Sequence, residues 1–153
     1  VLQHAETEVP EQAFRQMQST LNAARATKLP TVVMWPGSDA GAEGAAKAIR
    51  LHQVDIHTVR TLPPLRFLKL LTQATCLIGN SSAGIREATY LGTPVVNIGP
   101  RQRNREHGKQ VMHVPHDFDA IRTAITHQLT RTYPGDVLYG DGFSADRIVT
   151  GLL

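Results

Sequence analysis

This sequence is short of several things, and each shortage removes a class of function. No apolar run approaches the roughly 20 residues needed to span a bilayer. The opening stretch VLQHAETEVP also lacks the basic start and apolar centre of a secretory leader. No membrane partner is expected, and the cytoplasm is the expected compartment. Cys76 is the one cysteine in 153 residues, so no disulfide can form within the chain. Its apolar setting, ATCLIG, predicts a reduced, buried core residue rather than a reactive thiol. Aromatic residues make up 5% of the chain. Proteins that hold single-stranded nucleic acid stack bases on such side chains, so the net charge of +3 fits a small anion better than nucleic acid. No G-x-G-x-x-G follows a strand pattern and no P-loop occurs, so neither nicotinamide nor any other cofactor is expected. His113 and His116 form an H-x-x-H pair with no further ligand cluster, and no metal site is expected.

What is present is an alternation of strand and helix patterns. Val1 to Gln3 is a short strand candidate. Pro10 opens a helix carrying Phe14, Met17, Leu21 and Ala24 at helical spacing. Strands are expected at 31–35, weakly at 56–59, and at 76–78, 94–98 and 111–114. Helices are expected around Ala42 to Ile49, after Pro63-Pro64, over 83–91, over 118–129, and from about Ser144, read as an N-cap. The strands are continuous apolar runs, which implies burial on both faces. The fold class is therefore α/β: one domain, a three-layer Rossmann-like parallel sheet with helices on both sides. Ligands of such sheets bind at the carboxyl ends of the strands, beside the point where strand order reverses.

The segment from Leu77 to Gly108 carries the chemistry. Gly79-Asn80-Ser81-Ser82 turns from a strand into the helix expected over 83–91, which Gly92 closes. Free amides at a helix start attract anions, and the Ser81 and Ser82 hydroxyls add donors. Ala83-Gly84 leaves room for close backbone approach. Glu87, placed one turn into that helix, suits ribose hydroxyls better than phosphate. After the next strand come Arg101, Arg103, Arg105, His107 and Lys109, with Arg101 best placed to fork onto a diphosphate. Each feature alone has a plain reading as an N-cap, a surface ion pair or a solvated loop. Their succession at two adjacent strand ends points to a nucleotide.

The stretch GNSSAGIREATYLGTPVVNIGPRQ resembles the signature of the UDP-N-acetylglucosamine 2-epimerase family, most closely the hydrolysing branch that supplies N-acetylmannosamine for sialic acid synthesis. WPGSDAGAEGAAKAIR is similar to its Pro-Asn-x-Asp-Ala-Gly segment, with Gly37 where Asn is usual. LQHAETE is similar to its Gln-His-Pro-x-Thr segment, with Ala5 where Pro is usual, and LYGDGFSADRIV to its Tyr-Gly-Asp-Gly stretch. The resemblance implies the C-terminal half of a two-domain, B-type glycosyltransferase-like fold with UDP-sugar between the halves. It implies that Ser81, Ser82, Gly84 and Arg101 hold the diphosphate region, Glu87 the ribose, and the loop from Leu65 to Phe67 the uracil. His4 matches a family histidine near the diphosphate and is the one catalytic candidate. Asp39 falls in a segment facing the other half, with no role assigned.

The family's reaction removes the C2 proton of UDP-N-acetylglucosamine and breaks the C1–O bond to release UDP. Its carboxylate acid/base groups come mainly from the first half. This chain, which starts without Met, is thus expected to be a piece of a longer protein and inactive alone, and the resemblance leaves a full-length homodimer open. Two other classes fit the residues: the donor-binding half of a UDP-sugar glycosyltransferase, or a non-catalytic nucleotide-binding domain.

Overall fold

A computed structural model describes residues 1–152. Five strands, β1 (Val32–Met34), β2 (His57–Val59), β3 (Leu77–Gly79), β4 (Val95–Ile98) and β5 (Val111–Val114), alternate with six helices. The helices are α1 (Ala13–Ala26), α2 (Ala42–Leu51), α3 (Pro64–Gln73), α4 (Glu87–Leu91), α5 (Phe118–Gln128) and α6 (Ser144–Leu152). Every strand pair is parallel: β1 with β2, β3 with β4, β4 with β5.

The two ladders are joined by residues 1–3, which match the expected first strand but make only one bridge, Leu2 to Gly79. The Val1 nitrogen donates to the Val32 carbonyl at 2.6 Å and the Val1 carbonyl accepts from Met34 at 3.0 Å. On the other side, Leu2 donates to Ile78 at 2.8 Å and accepts from Asn80 at 3.2 Å. The order across the molecule is therefore β2, β1, residues 1–3, β3, β4, β5. The chain runs outward one way and then returns to run outward the other, so the switch point lies between residues 1–3 and β3. Gly79 makes that junction possible: at φ +141°, a Cβ would overlap the Leu2 carbonyl.

Helices cover both faces because adjacent residues of each strand point to opposite sides. Ile78 and Val96 pack with Ala23 and Ala24 of α1 and Ile121 and Ile125 of α5. Leu77 and Val95, one residue earlier in each strand, pack with Leu71 of α3 and Ala88 of α4. Met17 and Leu21 of α1 meet Val33 and, in α2, Ala45, Ala48 and Ile49. The helical spacing of Ala13, Met17, Leu21 and Ala24 therefore marks a buried face. No described helix is long and apolar enough to cross a membrane.

Three boundaries differ from expectation. The helix expected over 83–91 is broken into a 3₁₀ turn, Ser82–Gly84, and the short α4. The Ser82 carbonyl accepts from both Ile85 and Arg86 at 3.0 Å, and Arg86 adopts φ −105°, ψ −77°, which ends the turn. Small residues with local hydrogen-bonding side chains favour that tighter geometry over an α-helix. Pro10 opens a 3₁₀ turn, Pro10–Gln12, that leads into α1. Ser144 is the first residue of α6 rather than its cap. Cys76 lies just before β3 and is half-buried, with its thiol pushed up to about 12 by burial, so it stays protonated.

Candidate functional site

The loops at the switch point are built around Asn80, whose side chain is wholly buried. Its Oδ1 accepts from the His4 amide at 2.7 Å and its Nδ2 donates to the His4 carbonyl at 2.9 Å. One side chain therefore imitates a strand partner and fixes the residue that follows residues 1–3. Gln102, also buried, donates from Nε2 to the Asn80 carbonyl at 2.8 Å. The loop after β4 is thereby tied to the loop after β3. Sequence reasoning passed over both side chains. The signal for Asn80 was a polar residue directly after a buried strand; Gln102 was hidden among arginines.

These ties enclose a polar cavity of about 300 Å³ lined by His4, Ser81, Ser82, Arg101, Gln102 and Arg105. None of the six is acidic. Ser81 caps the 3₁₀ turn, its Oγ accepting from the Ala83 amide at 3.3 Å. Arg101 is braced from behind, with Nη1 donating to the Ala5 carbonyl at 3.1 Å and Nη2 3.6 Å from Asp39 Oδ2. The same Asp39 oxygen lies 3.7 Å from His4 Nδ1. Asp39, which follows β1, thus holds a charge between the histidine and the arginine. Among the described residues Nδ1 of His4 has no hydrogen-bond partner. Burial first, then the Arg101 charge, hold the His4 imidazole below its ordinary value, with Asp39 pulling the other way. A neutral imidazole beside a cationic, anion-ready pocket follows. Gly37 stands alongside: a Cβ there would lie 3.7 Å from His4 Nδ1 and 3.8 Å from Asp39 Oδ2. The absence of Asn at this position leaves space beside His4.

Of the predicted site residues, the structure brings His4, Ser81, Ser82 and Arg101 into one cavity and leaves three outside its lining. Gly84 is buried against β4, where a Cβ would come 3.1 Å from Val95 Cγ1. Its smallness lets the turn pack on the sheet. Glu87 is half-buried and opens α4 instead of lying one turn inside a longer helix. With that helix broken, the dipole of an extended helix does not act on the cavity; hydroxyls and guanidinium groups remain as the donors there. Phe67 sits in the first turns of α3, not in a loop, and its side chain packs against the Leu71 cluster. Leu65 beside it is exposed.

The histidine pair separates. His113 faces Asn97 Nδ2 at 3.0 Å and the ring of His107, and its imidazole is lowered by burial and then by His107. His116 instead meets Glu6. Among the described residues no group of three or more His, Cys, Asp or Glu side chains is arranged to hold a metal.

Comparison with known proteins agrees with this architecture. The model of the UDP-N-acetylglucosamine 2-epimerase family matches residues 1–153. The chain is 33% identical over 135 residues to a UDP-N,N'-diacetylbacillosamine 2-epimerase (hydrolyzing) of Legionella pneumophila, covering 86% of this chain and 36% of that protein. It is 38% identical over 100 residues to a UDP-N-acetylglucosamine 2-epimerase of Neisseria meningitidis, covering 61% of this chain and 26% of that one. Its fold is similar, at a TM-score of 0.75 and 15% identity, to the UDP-GlcNAc 2-epimerase of Methanocaldococcus jannaschii solved with UDP-GlcNAc and UDP. That match covers 99% of this chain and 44% of the other, so the chain spans less than half the length of these relatives. At 15% identity the structural likeness speaks for the fold, a Rossmann-like half of a B-type glycosyltransferase-like architecture. The full-length family match and the Legionella relative carry the assignment: this chain belongs to the UDP-N-acetylglucosamine 2-epimerase family.

Proposed function

We propose that the chain is the C-terminal, UDP-holding half of an enzyme that epimerises or hydrolyses UDP-N-acetylglucosamine or a close diacetamido relative. The observation that carries this reading is the switch-point cavity, lined by two arginines, two serine hydroxyls and a half-buried histidine and by no carboxylate. The diphosphate takes the Arg101 fork and the Ser81 and Ser82 hydroxyls. Glu87 accepts from the ribose, and the exposed first turn of α3, Leu65 to Phe67, meets the uracil through its backbone. As the bond to the sugar breaks, charge grows on the departing diphosphate, and a fixed guanidinium stabilises it where it develops. His4, neutral and beside the same oxygens, is able to donate an N–H hydrogen bond to them. Removal of a C2 proton needs a carboxylate or similar base within reach. The cavity supplies none, and Asp39 already faces His4 and Arg101. That step belongs to an N-terminal half of the same protein, and the chain alone does not turn over substrate.

Calorimetric titration of this chain with UDP, UMP and uridine tests the reading. Affinity should climb from uridine to UDP, and Arg101→Ala should lose about tenfold for UDP, the scale of one charge-assisted contact. Equal affinity for all three ligands, or an Arg101→Ala variant that binds UDP like the wild type, would remove the diphosphate from this cavity. Epimerisation by the isolated chain would sink the claim that a second half is required.

A further inference from the structure

Around Glu6 lies a buried polar cluster that the binding role leaves unexplained. The side chains of Glu6 and His116 are only 10% and 15% exposed and lie 110 residues apart in the chain. One Glu6 oxygen accepts from His116 Nε2 at 2.8 Å, and the other accepts from Gln16 Nε2 at 3.4 Å. Gly99, at φ +76°, is wedged against the pair, and a Cβ there would overlap both the carboxylate and the imidazole. Two residues after Gly99 comes Arg101. One residue before Glu6 comes Ala5, whose carbonyl accepts from Arg101 Nη1. The pair therefore grips both backbone segments that meet in the Arg101 contact, the one that carries the arginine and the one that braces it.

We propose that Glu6 and His116 are a buried positioning pair that sets the Arg101 guanidinium over the polar cavity, so that breaking the pair weakens binding of a nucleoside diphosphate without removing any group that touches it. The proposal rests on the reading of that cavity as the diphosphate seat. Its physical basis is that a buried carboxylate left without its donor does not stay in place. It turns toward water or draws another donor in, and Arg101 is braced by the carbonyl of Ala5, the residue directly before Glu6.

The test uses this chain and three variants, His116→Leu, His116→Gln and Gly99→Ala, with two readouts. The first is the Arg101 Nε–H signal by NMR without ligand; the second is affinity for UDP and for uridine. In His116→Leu the Arg101 signal should move toward that of a free arginine and UDP affinity should fall about tenfold with uridine unchanged. In His116→Gln an amide N–H replaces the imidazole donor and should restore most of both. Gly99→Ala presses on the same junction from the other side and should reproduce the loss, which keeps the test open should His116→Leu fail to fold. An unmoved Arg101 signal with an unchanged UDP-to-uridine ratio, alongside a lowered unfolding midpoint, would make the pair purely structural and overturn the proposal. So would a Gln variant no better than Leu. If the wild type does not bind UDP while the Arg101 signal still moves, the diphosphate reading fails and the positioning pair stands.

Discussion

The carboxyl edge of the sheet is built in two different ways on its two sides. From residues 1–4 across β3 to β4, the loops are laced together by buried amide side chains, Asn80 to His4 and Gln102 to Asn80. The strands there are buried throughout. Across β1 and β2 the strands are only partly covered, and the first turn of α3 presents Leu65 to solvent at 81% exposure. Asp39 is the side chain that reaches from the loose side to the tight one. The tight side holds charged donors in place before any ligand arrives, which is what stabilising a localised diphosphate requires. The loose side is suited to an extended, weakly polar contact that the ligand itself completes.

Substitutions should separate these two constructions. The largest effect is expected from Gly79→Ala, which would drive a methyl group into the Leu2 carbonyl and split the sheet at its switch point. A loss of about 3 kcal/mol or more by denaturant unfolding, or failure to fold, is expected. Retained stability would mean that residues 1–3 are not needed to join the ladders. Asn80→Ala comes next. It leaves the His4 amide and carbonyl without partners, at a cost of about 2–3 kcal/mol, and a drop no larger than that of an exposed substitution would discredit the lacing.

A smaller and more local effect is expected at Asp39, between the sides. His4 should titrate below its ordinary value, chiefly from burial and then from Arg101. A histidine with a lowered folded value contributes stability that is present above its unfolded value and lost as pH falls through its folded value. An NMR titration of the imidazole should show this, and Asp39→Asn, by removing the one opposing charge, should lower it further. An upward move in Asp39→Asn would contradict the geometry. The smallest effect belongs to the loose side: Leu65→Ala should change stability by no more than about 0.5 kcal/mol. A larger loss would show that the first turn of α3 is packed after all.

Much of this fold was legible in the sequence because burial on both faces leaves apolar runs, and each strand from β1 to β5 lies within or beside its expected stretch. Residues 1–3 read as a strand, but their place between the two ladders could not be read, because strand order is a long-range property that three residues do not encode. The candidate cavity was legible where chemistry shows as residue type, as at Ser81, Ser82 and Arg101, which line it. It was illegible where a residue's task is architectural. Gly84 reads as ligand space, and its packing on Val95 does not show in the sequence. Glu87 sits at a helix start because the helix that periodicity favoured is interrupted at Arg86. Asn80 and Gln102 look like ordinary loop residues, and only their burial reveals that they hold the cavity's walls together.

The central claim is that the diphosphate of a nucleotide settles at the switch point, and amide chemical-shift mapping of this chain with UDP tests it most directly. The account predicts that His4, Ser81, Ser82, Arg101 and Gln102 move first and furthest, that Leu65 to Phe67 respond to the uridine part, and that UMP shifts the first group less. Changes confined to other surfaces, such as the basic groove of Arg103, His107 and His113, or equal changes with UDP and uridine around Ser81 and Arg101, would contradict it.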